Sequence, residues 1–400
     1  MLRSLAALAV ATAVWIPNLH RFFDVDGAQA KRDGGEMRGA LVTRARTSST
    51  VAVTQTQAMR AVNPEWDFMT RTYEVLAYSN LALVENDPAR RAAWVTNIDR
   101  TIDATLDSER QHGAKSFMLR YASAAPFLDE AARSLFIDGE LLLMISARVF
   151  VAGPREGLRE EATSRAVHVE GAMRRSPSLS GESYPNECWT FCNTTALAAL
   201  AVYDRAFGGD ASPRHAELGR AWTAYAREHL VERSTGLLVA SYTRDGRVLD
   251  GPEGSSIFMS AHNLLLIDEP FARDQYARAR RELGATAFRF GWAREWPKTA
   301  PGRADVDSGP IVPFVEASAG ASGHAILGAS AFGDDAWLGS LFTSLELFGM
   351  PARKDGALRY RGSNAVGDAV LLYAVTYGPL WNEVRRGVAR PTIIKEGDRG

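Results

Sequence analysis

Residues 182–203 read ESYPNECWTFCNTTALAALAVY and hold both cysteines of the chain, Cys188 and Cys192, beside an apolar run with helical spacing. Pro185 suits the first turn of a helix, because its missing N–H would have no partner there. The stretch predicts a helix over 187–207 on which the two cysteines, four residues apart, share one face. The positive end of a helix lowers a thiol pKa, so we expect a pKa near neutrality for Cys192.

Aromatic and polar side chains alternate around these cysteines. Ligand pockets commonly combine aromatic walls with a few polar groups. We therefore expect a pocket here, with substrate contacts from Tyr184, Cys188, Trp189 and Asn193. The alternative is that both cysteines only fill the core, as free cysteines often do. Two sulfurs with no histidine close by do not predict a metal site.

Helical periodicity continues along most of the chain. One helix is predicted over 67–85, and the next begins at Asp87-Pro88. Further helices are predicted at 128–152, 156–174, 212–232, 257–267, 270–284, 311–330, 334–348 and 364–387. Strand patterns are confined to a hairpin over 236–250 and a short piece at 358–360. About a dozen helices in antiparallel pairs predict an all-α fold, an (α/α)6 barrel (toroid) with one or two small β-hairpins.

The chain has 400 residues, of which 46% are hydrophobic and 23% charged, and its net charge is −1. These values are typical of a globular protein, and the absence of a basic cluster argues against nucleic-acid binding. The N-terminal apolar run has signal-peptide length, and Ala28-Gln29-Ala30 offers a small-residue cleavage site. We expect an exported protein, periplasmic or membrane-anchored. Its predicted parts are a signal peptide or short membrane anchor (1–30, with anchoring through 1–20), an arm (31–58), the barrel (59–390) and a tail (391–400).

Three other stretches carry candidate chemistry. Asp67 and Tyr73 lie six residues apart and diverge by roughly 120° on one helix, so one chain would not point both the same way. Glu140 places an acid in an apolar helix, where burial would raise its pKa and suit a general acid. Asp305 and Asp307 precede Gly-Pro in a polar corner that could hold a hydroxyl or a cation.

Each of these residues has a structural alternative. Asp67 could cap its helix, and Tyr73 could be a core tyrosine with a satisfied hydroxyl. Glu140 could lie on a solvated helix face or form an ion pair. Asp305 and Asp307 suit a capped loop. His262 and His324 lie in apolar surroundings, where each could reach the funnel or be a hydrogen-bonded structural histidine.

Several short motifs of this sequence, in their order, resemble the linalool dehydratase/isomerase family over roughly residues 60–385. The motifs are Trp66-Asp67-Phe68 with Tyr73, Pro185 followed by Cys192-Asn193, Val202-Tyr203-Asp204-Arg205, Asp268-Glu269-Pro270-Phe271-Ala272 with Tyr276, and Asp305-Val306-Asp307-Ser308-Gly309. The resemblance implies an (α/α)6 barrel, an exported protein, and a cofactor-free site shared between subunits of a ring-shaped homo-oligomer. It also implies reversible dehydration and isomerisation of monoterpene allylic alcohols.

Residue by residue, the resemblance assigns the family's aspartate, tyrosine and second cysteine to Asp67, Tyr73 and Cys192. It implies that Asp67 and Tyr73 serve the site of a neighbouring subunit. Two positions depart from the family pattern. Glu140 stands at the family's histidine, and Ser183 stands near its first cysteine, with Cys188 as an additional thiol five residues later.

The leading prediction is a cofactor-independent lyase or isomerase acting on a hydrophobic allylic, terpenoid alcohol by acid–base chemistry. Asp67, Tyr73, Glu140 and Cys192 would be catalytic. Substrate would be bound by Tyr184, Cys188, Trp189, Asn193, Asp305 and Asp307. The alternatives are a carbohydrate-active barrel using Asp305, Asp307, Glu140 or Asp67 as paired acids, and a non-catalytic protein that keeps the barrel.

Overall fold

The computed structural model describes residues 2–32, 34, 37, 59–208, 214–299, 308–309, 311–354 and 356–388. Helices predominate in these residues, as the periodicity predicts. They are α1 (Leu2–Asn18), α2 (Gly27–Arg32), α3 (Pro64–Val84), α4 (Pro88–His112), α5 (Leu135–Ala152), α6 (Leu158–Arg174), α7 (Thr190–Phe207), α8 (Ala216–His229), α9 (Gly254–Leu264), α10 (Glu269–Glu282), α11 (Ala319–Phe332), α12 (Asp335–Phe348), α13 (Ala365–Thr376) and α14 (Pro379–Val388).

The odd-numbered helices from α3 to α13 form a closed inner ring. Each packs against the next one along the chain, and α13 returns to pack against α3. Helices α4, α6, α10 and α12 pack on the outside, each against the inner helix that precedes it. Alternating inner and outer helices that close on themselves make the predicted (α/α)6 barrel.

The closest helix pair of the ring is α5 with α7. Nearly every residue of α5 is buried, which suits a helix that is apolar on all sides. Gly139 lets the two backbones approach, because a Cβ at this position would lie 3.2 Å from the Ala196 Cα. A larger side chain at Gly139 would push α5 away from α7 and displace Glu140, the next residue.

Within the described residues, nine short strands form four small antiparallel sheets, more than the one or two hairpins predicted. The hairpin within 236–250 and the piece at 358–360 are confirmed. The helix predicted at 311–330 is wrong at its start, since a strand pair precedes α11. The strands are β1 (Cys188–Trp189), β2 (Ser241–Tyr242), β3 (Val248–Asp250), β4 (Gly284–Ala287), β5 (Phe290–Ala293), β6 (Ile311–Val312), β7 (Ala317–Ser318), β8 (Pro351–Lys354) and β9 (Ala357–Tyr360).

The cysteine stretch begins its helix later than predicted. Pro185 and Asn186 are the central residues of a tight turn closed by the Glu187 N–H donating to the Tyr184 carbonyl at 2.9 Å. Asn186 has a φ of 57°, which a type II turn requires at its third position. Cys188 then pairs with Tyr242 in the sheet of β1 and β2. The prediction that both cysteines share a helix face is therefore wrong.

Two terminal predictions also change. The single helix predicted at 364–387 is two helices, because Gly378 has a φ of 134° and Pro379 begins α14.

At the other end, helical structure continues from Leu2 to Phe22, the one described segment long and apolar enough to cross a membrane. Little of the predicted arm (31–58) is described, although Met37 is 5% exposed and joins the core. The tail (391–400) lies outside the described residues.

Candidate active site

The amino ends of the inner helices lie together at one end of the barrel, here called the mouth. Turns from an inner to the following outer helix are short, such as 85–87 and 265–268. The connections that return to an inner helix are long, such as 113–134 and 230–253, and the small sheets lie in such connections. Functional residues in barrels of paired elements are commonly carried on connections gathered at one end.

Helix α3 turns one face toward the barrel axis. Glu65 and Thr72 are seven residues apart, about two helical turns, so they share that face. The Thr72 hydroxyl donates to Oε2 of Glu140 on α5 at 2.5 Å. Asp67 lies on another face, where its carboxylate binds Arg60 at 3.0 Å and Arg71 at 3.1 Å.

Glu140 is the buried acid of the site. Its pKa is raised to about 8, chiefly by burial. The Thr72 hydrogen bond opposes this increase, and the negative charge of Glu65 adds to it. A carboxyl group with this pKa is mostly protonated at neutral pH and can donate a proton. The structural alternatives of a solvated face or an ion pair do not apply, since Glu140 is 2% exposed and bonded to Thr72.

Cys192 lies next to this acid at the start of α7. Burial raises its thiol pKa well above the usual value, Ser183 opposes this by a hydrogen bond, and the charges of Glu140 and Glu65 add to the increase. The expected near-neutral pKa is therefore wrong, because burial and two carboxyl groups outweigh the helix end. Ser183, which stands near the family's first cysteine position, is thus a direct neighbour of Cys192.

Tyr73 on α3 and His324 on α11 join the site from the two inner helices that flank α13. The Tyr73 hydroxyl lies 2.8 Å from Nε2 of His324, and the His324 ring lies 6.1 Å from that of Phe191. Burial raises the pKa of Tyr73 and lowers that of His324 to about 4, so both are neutral at pH 7. Tyr73 is 1% exposed, and its hydroxyl faces the interior of its own chain. A role in the site of a neighbouring subunit, which the resemblance implies, stays a prediction.

A second polar layer lies deeper in the barrel. The Tyr373 hydroxyl lies 2.9 Å from Nε2 of His262, and Nδ1 of the same ring faces the Asn263 amide oxygen at 3.0 Å. Burial lowers the pKa of His262 to about 3. The Tyr73 and Tyr373 rings stack with centroids 6.2 Å apart, which connects this layer to the site above. Both histidines singled out in the sequence therefore lie inside the barrel.

Aromatic side chains cover Glu65 at the mouth. The Tyr184 hydroxyl donates to the Glu65 carboxylate and accepts the Leu119 N–H at 2.9 Å. The Tyr121 ring stacks on Tyr184 at 4.5 Å, and Trp189 donates to Glu187 at 3.3 Å. Glu65 was not among the residues predicted from the sequence. Its seven-residue spacing to Thr72 was the available signal.

Asn193 and Cys188 have polar partners other than Glu140. The Asn193 side chain is fully used by the backbone of Gly181 and Trp189, so its role is to fix the mouth. Cys188 faces the Ser180 carbonyl at 3.8 Å, and burial raises its thiol pKa. Asp305 and Asp307 lie outside the described residues.

Neither of two surface pockets reaches the site. One lies between Phe22 and Tyr360 near α12, and the other lies beside Asn186 and Arg244. Among the described residues, no group of three or more acidic, histidine or cysteine side chains could hold a metal ion. Cofactor independence stays a prediction.

These observations define a class of protein, an (α/α)6 toroid with a buried carboxylic acid, thiol and tyrosine–histidine pair at its mouth. Residues 136–366 match the protein-family model of the linalool dehydratase/isomerase family, which is more than half of the chain. The chain belongs to that family, and membership supports a lyase or isomerase. A search of curated proteins gave no significant match.

Solved structures of similar shape include carbohydrate enzymes. The GH76 alpha-mannanase of Bacteroides thetaiotaomicron has a TM-score of 0.48 and 11% identity, covering 80% of this chain and 87% of its own. An unsaturated glucuronyl hydrolase from Bacillus sp. GL1 has a TM-score of 0.43 and 14% identity, and the match covers 78% of this chain and 96% of the hydrolase. A D-mannose isomerase has a TM-score of 0.42 and 11% identity, and the match covers 75% of this chain and 86% of the isomerase.

Proposed function

We propose that this protein is a cofactor-independent lyase or isomerase that removes the hydroxyl of a hydrophobic allylic alcohol as water, or moves it along the allyl system. The observation that carries the proposal is Glu140, a buried acid held protonated beside Glu65 and Cys192. Pairs of acids whose surroundings separate their pKa values divide acid and base roles between them. Family membership supports the same reaction class.

The proposed reaction balances with the groups present. Glu140 gives its proton to the leaving hydroxyl, the C–O bond breaks with its electron pair on oxygen, and water and an allylic cation result. The Glu65 carboxylate takes a proton from the carbon next to the cation, and that C–H electron pair forms the new double bond. Isomerisation follows if water adds at the other end of the allyl system and returns its proton to Glu140.

Neutral groups are assigned to positioning and shielding. The Tyr73 hydroxyl, held by His324, orients the substrate hydroxyl, and the neutral Cys192 thiol lies against the cation without forming a bond. The rings of Tyr184, Trp189 and Phe191 would contact the hydrocarbon tail and exclude water. Asp67 drops out of the catalytic set because its carboxylate is bound by Arg60 and Arg71.

The experiment is an assay of Glu140→Gln and Glu65→Gln on a panel of terpenoid allylic alcohols, with Glu228→Gln as the control. Glu228 is exposed on α8, with 77% of its side chain accessible. We expect a fall in kcat of about 10²–10⁴-fold for each site variant, as for a lost acid or base, and no change for the control. Full turnover in Glu140→Gln would remove Glu140 from its role.

The pH dependence gives a second reading of the same assay. Glu140 acts in its protonated form, so turnover by the wild-type protein should fall as pH rises through about 8. Turnover that still rises above this pH would show that another group supplies the proton.

A carbohydrate-active barrel remains the second candidate, and one observation favours it. Glycosidases also use a carboxylic acid of raised pKa near a second carboxylate. In this chain the acid would be Glu140, and Glu65 would take the place of the predicted Asp67. Aryl glycosides in the same panel test it, since their cleavage, lost in Glu140→Gln, would replace the alcohol proposal. A folded protein inactive on both panels would support the non-catalytic alternative.

Export and assembly are proposed on narrower grounds. The apolar helix from Leu2 to Phe22 supports export, which protease protection of the barrel in intact cells would test. A ring-shaped homo-oligomer follows only from family membership, and light scattering of the purified protein measures it. A monomer with full turnover would contradict a shared site.

A further inference from the structure

Residues 2–16 of the N-terminal helix are mostly apolar, and each of them is exposed in the part of the chain that the structure describes. Helical structure from Leu2 to Phe22 spans 21 residues with a mean hydropathy of 1.4, and none of its most apolar window is buried. About 20 apolar residues suffice to cross the hydrocarbon core of a bilayer. Its large exposed side chains are Leu2, Leu5, Leu8, Val10, Val14, Trp15, Ile16 and Phe22.

The residues that follow are docked on the barrel and leave little slack. Asp24 pairs with Arg289 at 2.9 Å, and the Val25 N–H donates to the Thr343 hydroxyl at 3.2 Å. Further along, Lys31 donates to the Ser330 carbonyl at 3.2 Å. Helix α2 packs along α12, and Phe22 and Asp24 are only two residues apart. The apolar helix is therefore joined to the barrel through a very short segment.

The docked segment includes the small-residue motif at Ala28-Gln29-Ala30. The backbone is closely packed here. A Cβ on Gly27 would lie 2.0 Å from the carbonyl oxygen of Asp335, and a Cβ on Gly339 would lie 2.6 Å from the carbonyl oxygen of Val25. Ala30 is 3% exposed and belongs to the hydrophobic core. Cleavage after Ala30 would remove backbone that is packed into the barrel, so the docking favours an intact N-terminus over a cleaved signal peptide.

The helix leaves the barrel on its mouth side. Outer helices end where the long connections begin. Gly27 lies at Asp335, near the start of α12, and Val25 meets the middle of α12 at Gly339 and Thr343, so the chain approaches the mouth end as it is followed back toward Asp24. Arg289, which holds Asp24, lies in the turn between β4 and β5, one of the mouth connections. Four large apolar side chains around this point are more than half exposed, namely Phe22, Phe288, Phe348 and Met350.

We propose that Leu2–Phe22 remains attached and lies in a phospholipid bilayer, and that its short junction holds the mouth side of the barrel against the lipid surface. Phe288, Phe348 and Met350 contact the interfacial region, where exposed aromatic side chains are favoured. On the proposed function, this arrangement delivers a hydrophobic alcohol from the bilayer directly to the mouth.

Vesicle flotation of the full chain tests the anchor. The probe is vesicles of phosphatidylethanolamine and phosphatidylglycerol, and the variants are Val10→Arg and the matched control Val167→Arg, which changes an exposed valine of α6. The wild type and the control should float, and Val10→Arg should lose about tenfold or more of the floating fraction. Intact mass of membrane-extracted protein should include residues 2–22. A mass that begins after Ala30, or flotation unchanged in Val10→Arg, would overturn the anchor.

A second measurement tests the orientation without using activity. Both native cysteines are buried, so a thiol-reactive fluorophore at Phe288→Cys or Val167→Cys reports one position each. Quenching by spin-labelled lipid should be strong at position 288 and weak at position 167. Equal quenching would overturn the orientation while leaving the anchor and the proposed chemistry intact. Flotation with no alcohol turnover would instead reject the proposed function alone.

Discussion

At the scale of single residues, Glu140 makes stability depend on pH in a defined direction. Its pKa is raised from 4.5 in the unfolded chain to about 8 in the folded protein, so the folded state binds the proton more tightly. The stabilising contribution is complete below 4.5 and is lost as pH rises toward 8, by about 1.4 kcal/mol per pH unit.

The corresponding prediction concerns Glu140→Gln. The variant should not show this loss, so its free energy of unfolding relative to wild type should rise between acidic pH and pH 8. Urea denaturation at several pH values measures the difference, and Glu228→Gln on the exposed face is the matched control. A difference that stays constant with pH would mean that Glu140 is ionised in the folded protein.

The two thiols make a second prediction at this scale. Burial raises the pKa of both Cys188 and Cys192, and only the thiolate is an effective nucleophile. Both should react with a thiol reagent at neutral pH about 100-fold or more slowly than in the denatured chain. Reaction timed with and without guanidinium chloride measures this. Rapid alkylation of Cys192 in the folded protein would contradict this prediction and would support the near-neutral thiol pKa expected from the sequence.

At the scale of elements, α3 carries Glu65 and Thr72 on one face and Asp67 on another. Asp67 is 2% exposed and bound by two arginines that are partly exposed. Asp67→Asn should lower the free energy of unfolding by about 2–4 kcal/mol, between the values of exposed and buried ion pairs. It should leave kcat within about twofold of wild type.

The matched control for Asp67→Asn is Asp107→Asn, which removes an exposed carboxylate from the neighbouring α4 and should cost little stability. Denaturation and turnover are measured on the same samples. A loss of turnover without a loss of stability would return Asp67 to the catalytic set.

The turn before α7 carries its own prediction. Asn186 has a φ of 57°, a conformation that β-branched residues rarely adopt. Asn186→Val should destabilise the protein by about 1–3 kcal/mol, whereas Asn186→Gly should be close to neutral. Thermal unfolding of the pair measures the difference. Equal stability of the two variants would mean that the turn relaxes to another form.

Element patterns in the sequence predict most of the helices but not their boundaries near special backbone. Pro185 suits both a helix start and a type II turn, and only the φ of Asn186 separates the two. The same ambiguity hid the break at Gly378, because the apolar spacing of α13 and α14 continues across it. Periodicity reports which face of a segment is apolar and does not report a local change in backbone direction.

At the scale of the whole molecule, ring closure explains why the architecture was predictable and the site only partly so. Alternating helices predict a barrel, but the contact that closes it joins positions far apart, as where the Tyr73 ring of α3 stacks on the Tyr373 ring of α13 at 6.2 Å. Which face of α3 points inward depends on that closure. The position of Glu65 relative to Glu140 could therefore not be predicted, whereas the raised pKa of Glu140 could, because that residue lies in a helix that is apolar on every side.

The protonation state of Glu140 is the centre of this account, and infrared spectroscopy measures it without a substrate. The carboxylic acid band that disappears in Glu140→Gln should persist at neutral pH and titrate near 8 in the wild type. In Glu65→Gln the same band should titrate at lower pH, because a neighbouring negative charge is removed. A band that titrates near the ordinary 4.5, or that is unmoved by Glu65→Gln, would contradict the account.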